Sequence, residues 1–386
     1  MMKHCLAAIS LVFTMVCASA QSTDTLKHVE SWQQLLSDAR QHNKLIFVDC
    51  YFTGCHPCAQ MDKDVFPTEL VQKQFTEKYL AVKVDVFKEK LGDSLNRKYA
   101  ITGYPTYLIL NAEGKLLNRF SGYKDAGLLL AEMKQAEEMQ VSGKSLEGFS
   151  ASIGLTYPDF YNKFYDRSGE PLPANVAIDW LTKQSDFSKE TAAMPLILTR
   201  KLTPALEQKV LSEYTMLRTR FGKELLVGKA SGLLNAAMKT AVGNQKNEPA
   251  FRDFLKQRSS AFPAADWNIL RMLAGMDYYG SIAKDTLGLL RFLNEEPLIY
   301  QNYVGSLYNT MIVRNQMTPE YLALFCNWSD KAVLPTSAID AMYAAAYMHK
   351  KNGNQQGFER FLRMAIQRAK DTGMNAANYE KALAIK

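Results

Sequence analysis

The chain has 386 residues, 47% of them hydrophobic and 22% charged, a length that predicts two domains and a composition that excludes a disordered chain. The formal charge of +7 is spread over 46 basic and 39 acidic residues. Such mixing describes a solvated surface and excludes a nucleic-acid footprint.

In chain order, residues 1–20 read as a signal peptide. Lys3 and His4 precede an apolar run from Leu6 to Val16, and Ala18-Ser19-Ala20 has the small-residue cleavage pattern before Gln21. A lipoprotein signal ending at Cys17 competes, but Val16 stands where a small residue is expected. No later run is long enough to span a bilayer, so the expectation is a periplasmic or secreted protein without stable membrane insertion. Residues 21–143 form the first domain. Trp32, Leu35, Leu36 and Ala39 recur at helical spacing between Ser31 and Asn43, and "KLIFVDCYF" (44–52) follows as a buried strand. After the cysteine pair at 55 and 58 a helix bends or restarts at Pro67. "YLAVKVDVF" (79–87) is a second strand, and Leu91 to Tyr99 a short helix. "TYLIL" (106–110) and "KLLNRF" (115–120) pair across the turn "NAEG", and Asp125 caps a closing amphipathic helix to Met139. Residues 144–386 lose the strand signal and carry apolar residues at three-four spacing, with breakers at 169–173, 262–266 and 352–357. An all-helical domain is expected there, solenoid-like or an irregular bundle, with 341–373 as one helical hairpin.

The chemistry concentrates in Cys55-His56-Pro57-Cys58. A cysteine at the start of a helix, just after a buried strand, meets unpaired backbone N–H groups and the positive end of the helix dipole. Both favour thiolate, which makes Cys55 the attacking sulfur, while Cys58, one turn along and deeper, resolves the mixed disulfide. His56 either adds to thiolate stabilisation or merely faces solvent. Pro57 suits the first helical turn. A metal site needs about four ligands, but the chain past the signal offers this pair and only His28, His42, His56 and His349. A purely structural disulfide closes so short a ring that it restrains the unfolded chain little. Cys50, alternating with Asp49 along its strand, points into the opposite core layer, and Cys326 reads as core.

"VDCYFTGCHPC" (48–58) and "ITGYPT" (101–106) together resemble the active-site segments of the thioredoxin superfamily, over roughly residues 27–140. The resemblance implies a central mixed sheet flanked by helices. It implies that Asp49 is the buried acid that assists proton transfer at Cys58, with Lys83 near it. Pro105 becomes the cis-proline packed against the cysteine pair, the Tyr104 backbone pairs with a bound peptide, and Gly122 stands near the substrate groove. "CHPCAQMDKDVF" (55–66) looks most like exported, DsbD-type domains. Two departures matter: Gly54 replaces the usual tryptophan, and His56-Pro57 is neither the Gly-Pro of thioredoxin nor the Pro-His of strong periplasmic oxidants. The dipeptide tunes the first thiol, so the potential stays open.

The expected function is an exported thiol-disulfide oxidoreductase acting on disulfide-containing protein substrates, leaning to reduction or isomerisation, without cofactor and with a membrane-linked redox partner. The alternative is a helical binding or scaffold protein whose thioredoxin-like half is a docking module. A peroxide-reducing enzyme fits the adjacent cysteines and the "GYPT" loop less well.

Overall fold

A computed structural model of the chain describes residues 26–29, 31–166, 174–243, 246–296, 304–313 and 317–384. The predicted signal peptide, with Cys5 and Cys17, and the breaker at 169–173 lie outside them.

Ser31 opens α1 (Trp32–His42) by accepting the Gln34 N–H on Oγ at 3.3 Å, and left-handed Asn43 closes it. The chain then enters β2 (Leu45–Tyr51), buried on both faces from Ile46 to Cys50. A two-residue edge strand, β1 (Lys27–His28), precedes α1 and is too short to register as a sequence pattern. The cysteine pair begins α2 (His56–Gln60), which widens into a π-helical turn over Met61–Val65. Pro67 separates that turn from α3 (Glu69–Lys78), as expected of a residue without a backbone donor. β3 (Tyr79–Asp85), α4 (Lys90–Lys98), β4 (Thr106–Leu110), β5 (Leu116–Ser121) and α5 (Ala126–Val141) complete this part, with Asp125 accepting the Leu128 N–H at 2.8 Å. The sheet is mixed, in the order β1-β3-β2-β4-β5, with β1, β3 and β2 parallel and β4 and β5 antiparallel.

Strand alternation sorts the two sheet faces. Phe47, Tyr107, Ile109 and Phe120 pack with Met61, Val65, Phe66 and α5 residues on one face. Ile46, Val48, Cys50 and Leu108 face the other way, into a core shared with α1, α4 and the helical half. Cys50 therefore points away from Asp49's face, as its strand position predicts.

Every regular element described in the second part is a helix, the α-helices being α6 (Asp159–Tyr165), α7 (Ala174–Leu181), α8 (Glu190–Leu198), α9 (Pro204–Ser212), α10 (Tyr214–Phe221), α11 (Lys223–Val242), α12 (Glu248–Arg258), α13 (Ala264–Asp277), α14 (Thr286–Glu295), α15 (Val304–Val313), α16 (Pro319–Ala332), α17 (Ile339–Lys351), α18 (Gln355–Asp371) and α19 (Ala377–Ala384). α17 and α18 form the hairpin foreseen at 341–373. Cys326 is buried in α16, where loss of hydration, with Asp330 nearby, pushes its thiol up to about 12. It is inert core.

Among the described residues the helical half is bonded to the sheet part at both of its ends. At the near end the Lys98 ammonium, 1% exposed, meets both oxygens of Glu190 at 2.8 and 2.9 Å. Tyr157 Oη (2.7 Å) and the Ser150 N–H (2.9 Å) also donate to that carboxylate. Arg119 of β5 adds a bond to Glu224 of α11 at 2.6 Å, while its Nε donates to the Tyr99 carbonyl. At the far end, the second oxygen of Asp125 accepts the Ile339 N–H at 3.1 Å, so one carboxylate caps both α5 and α17. The Ala126 N–H meets Met374 Sδ beside it.

Removing one partner of a buried ion pair leaves the other charge uncompensated. Glu190→Ala is expected to cost about 3–5 kcal/mol in urea unfolding. Lys98→Met in the same chain should recover a large part of that loss.

Candidate active site

Cys55 is the N-cap of α2 in extended backbone conformation, and its Sγ accepts the Cys58 N–H at 3.3 Å. The two sulfurs are joined as a disulfide across a Cα separation of 5.3 Å. Pro57 falls in the first helical turn, where its missing donor costs nothing. Cys55 and Cys58 are both nearly buried, at 5% and 3% exposure, so the expected difference in depth is small. Thr53, Gly54 and His56 around them are exposed, and solvent reaches the rim of the pair. His56 lies on that rim beside the first sulfur.

The loop before Cys55 is held by a residue that the sequence reading did not single out. Asp85, at the end of β3, accepts the Thr53 hydroxyl at 2.6 Å and the Thr53 N–H at 3.0 Å on one oxygen. Its other oxygen takes the N–H groups of Phe87 (2.9 Å) and Lys88 (3.2 Å). Burial opposes its charge, but the bonds from Thr53, Phe87 and Lys88 outweigh it and hold the carboxyl below the usual range. One carboxylate thus fixes the cysteine loop to the loop that carries Phe87. Gly92 of α4 permits this arrangement: a Cβ there would lie 2.4 Å from the Asp85 carbonyl oxygen.

The Tyr104–Pro105 bond is cis, as the resemblance predicts, and Pro105 is buried. Its carbonyl accepts the Gly122 N–H at 2.8 Å, and Gly122 has φ +81, a left-handed conformation that favours glycine. The Tyr104 hydroxyl donates to Asn96 at 3.0 Å. Its ring stands edge-on to Phe52 (5.3 Å) and Phe87 (5.4 Å), and those two lie 5.6 Å apart. This aromatic triad joins the cysteine loop, the cis-proline loop and the β3–α4 loop. Phe52 and Phe87 carried no sequence signal beyond being aromatic, because their loops meet only in three dimensions.

Asp49 sits in register with Lys83 of β3 and Tyr107 of β4, on the sheet face covered by Met61 and Val65. It is 1% exposed, and its Oδ1 has no hydrogen-bond partner among the described residues. Burial, reinforced by Asp62 and only partly offset by Lys83, pushes this carboxyl well above the usual range. The Lys83 ammonium lies 3.7 Å from Asp62 and over the Tyr51 ring. A buried acid whose proton affinity is raised in this way can exchange a proton with a neighbouring group where an ordinary carboxylate would simply stay ionised. Among the described residues no cluster of His, Cys, Asp or Glu could hold a metal ion.

A mixed five-stranded sheet, a helix capped by the first cysteine of a disulfide pair and a cis-proline loop define a thioredoxin-like domain. Residues 32–137 match the thioredoxin-like domain family. Thioredoxin H-type 2 of Nicotiana tabacum is 32% identical over 96 residues, 25% of this chain and 75% of that protein. Thioredoxin H1 of Arabidopsis thaliana is 31% identical over 25% of this chain and 77% of its own length. Protein disulfide-isomerase of Ricinus communis is 24% identical over 39% of this chain, which covers only 30% of that relative. The chain belongs to the thioredoxin-like family through its N-terminal part.

Because the folded Asp49 binds its proton more tightly than the unfolded chain does, wild-type stability falls as pH rises from the unfolded value of 3.8 until Asp49 itself ionises. Asp49→Asn removes that loss. Urea unfolding should show the variant about 1–3 kcal/mol more stable near neutrality, with the difference vanishing well below pH 3.8. Asp85 acts in the opposite sense: its contribution is present above the unfolded value of 3.8 and fades as pH falls through the lower folded pKa.

Proposed function

We propose that the protein is an exported thiol-disulfide oxidoreductase acting on protein substrates through Cys55 and Cys58. The observation that carries this is the disulfide placed at a helix start, with Cys55 as N-cap and its sulfur facing a backbone N–H. When the pair is reduced, that N–H and the helix dipole favour the Cys55 thiolate. The thiolate attacks a substrate disulfide, forming the mixed disulfide and releasing one substrate thiolate. Cys58 gives up its proton to the Asp49 carboxylate and attacks Cys55 Sγ. The second substrate thiolate leaves, and the enzyme is left as the disulfide, two electrons poorer. Pro105, Tyr104 and Gly122 form the edge along which the substrate backbone lies, and His56 and Pro57 set the geometry and basicity of Cys55.

Each turnover needs a dithiol donor to reduce the enzyme disulfide again. The likeness of residues 55–66 to DsbD-type domains supports a membrane-linked donor and a reductive or isomerising role. Among the described residues no helix is long and apolar enough to cross a membrane. Export rests on the pattern of residues 1–20, and N-terminal sequencing of envelope-fraction protein should begin at Gln21. A second reading, in which the helical half is a scaffold and the pair is incidental, draws on that half's many helices.

Insulin reduction in the presence of a dithiol separates the two. Wild type should precipitate insulin well above background, Cys55→Ser should stay at background, and Cys58→Ser should accumulate mixed disulfides with its substrates. Equal rates for wild type and Cys55→Ser would leave only the scaffold.

A further inference from the structure

Two cavities meet beside the cis-proline loop. One, about 430 Å3, extends from Phe87 and Tyr104 to Phe164 of α6. The other, about 590 Å3, runs along α11 to Lys229. Thr102, Ile197, Leu198 and Arg200 line both, so the two are stretches of a single groove. One wall belongs to the thioredoxin-like part and the other to the helical half.

The charges along this groove are unbalanced. Arg119 is neutralised by Glu224, and Asp166 by Arg97. Lys229 is 7% exposed and donates to the Thr199 carbonyl, yet among the described residues no carboxylate comes within ion-pair distance of it. Glu207 acts on it only from farther away, and burial pulls its ammonium down to about 8. Arg200, exposed at the junction of the two stretches, likewise has no ion pair among the described residues. A buried cation without a counter-charge opposes folding, so stability gives no reason for Lys229. Nor does it explain Gly228 and Gly232, one turn apart in α11. Glycine weakens a helix interior, and a Cβ at either position would meet nothing within 4 Å. Together they leave a trough in the groove wall, open to a ligand's backbone.

We propose that this groove receives an extended stretch of the substrate protein next to the cysteine under exchange, and that a carboxylate side chain of that stretch docks against Lys229 and Arg200. The aromatic triad takes apolar residues nearest the disulfide, and the helical half thereby selects substrates carrying an acidic residue at a set spacing from the reactive cysteine. This rests on the oxidoreductase reading for its turnover test, though not for its binding test.

The test uses the mature full-length chain and disulfide-linked fluorogenic peptides in which one glutamate is moved stepwise away from the cysteine, each with a glutamine counterpart. Wild type should favour glutamate in one register by about tenfold or more in kcat/KM, mainly through KM, and added salt should erode the preference. Lys229→Met and Arg200→Gln should each lose most of that preference by slowing the glutamate peptides alone, whereas Gly232→Leu, which fills the trough, should slow glutamate and glutamine peptides alike and leave the small neutral disulfide 2,2′-dithiodipyridine untouched. Lys229→Met should melt no lower than wild type. Equal rates for glutamate and glutamine at every position, or a preference that survives Lys229→Met, would overturn the proposal. Fluorescence anisotropy with unreactive peptides, cysteine replaced by serine, reads docking separately. If wild type reduces nothing yet still binds the glutamate peptides better, the groove stands and the redox reading falls.

Discussion

Lys98 and Glu190 have both left water, and the architecture depends on their having done so together. Each charge alone would be costly where it lies; paired, and with Glu190 further bonded by Tyr157 and Ser150, they form a polar joint inside an otherwise apolar core. Apolar burial gives that core most of its stability but is indifferent to small shifts in register. The directional bonds of the joint are not. They orient α8 against α4, and so set where the Ile197–Arg200 segment stands relative to the cis-proline loop.

The redox centre is built on the same logic of local constraint. A buried strand delivers the chain to a helix start, Cys55 supplies the cap, and Asp85 ties the preceding loop to its neighbour. Asp49 is retained in the core at an energetic cost, with one oxygen unmatched by any donor among the described residues. A structural carboxylate in that position would be expected to have found one. Its raised affinity for a proton is the property that the proposed exchange at Cys58 would draw on.

Much of the thioredoxin-like part was legible because its determinants are local. Ser31 and Asp125 announce helix starts, Pro67 announces a break, and β-branched runs mark β2 and β3; the cysteine pair stood out by spacing, and Pro105 through the resemblance of its loop to the thioredoxin superfamily. β1 was not legible, since two residues carry no period, and neither was the π-helical turn at Met61–Val65. The rest of the site was hidden for a different reason. Phe52 and Phe87 lie on two loops that meet the Tyr104 ring only in three dimensions, and Lys98 and Glu190 stand 92 positions apart, so in a linear text these four read as ordinary aromatics and solvated charges. Lys229 carried no sequence signal, because burial of a single charge in a long helix leaves no mark in composition.

Asp125 has a consequence of its own. With one oxygen on α5 and the other on α17, it pins the tail of the helical array to the same body that its head grips through Glu190. Fastened at shoulder and wrist, the array cannot part from the sheet at its far end without surrendering a helix cap. Any partner seated between the two parts would therefore have to match a preset contour, and little ordering entropy would be spent on its arrival.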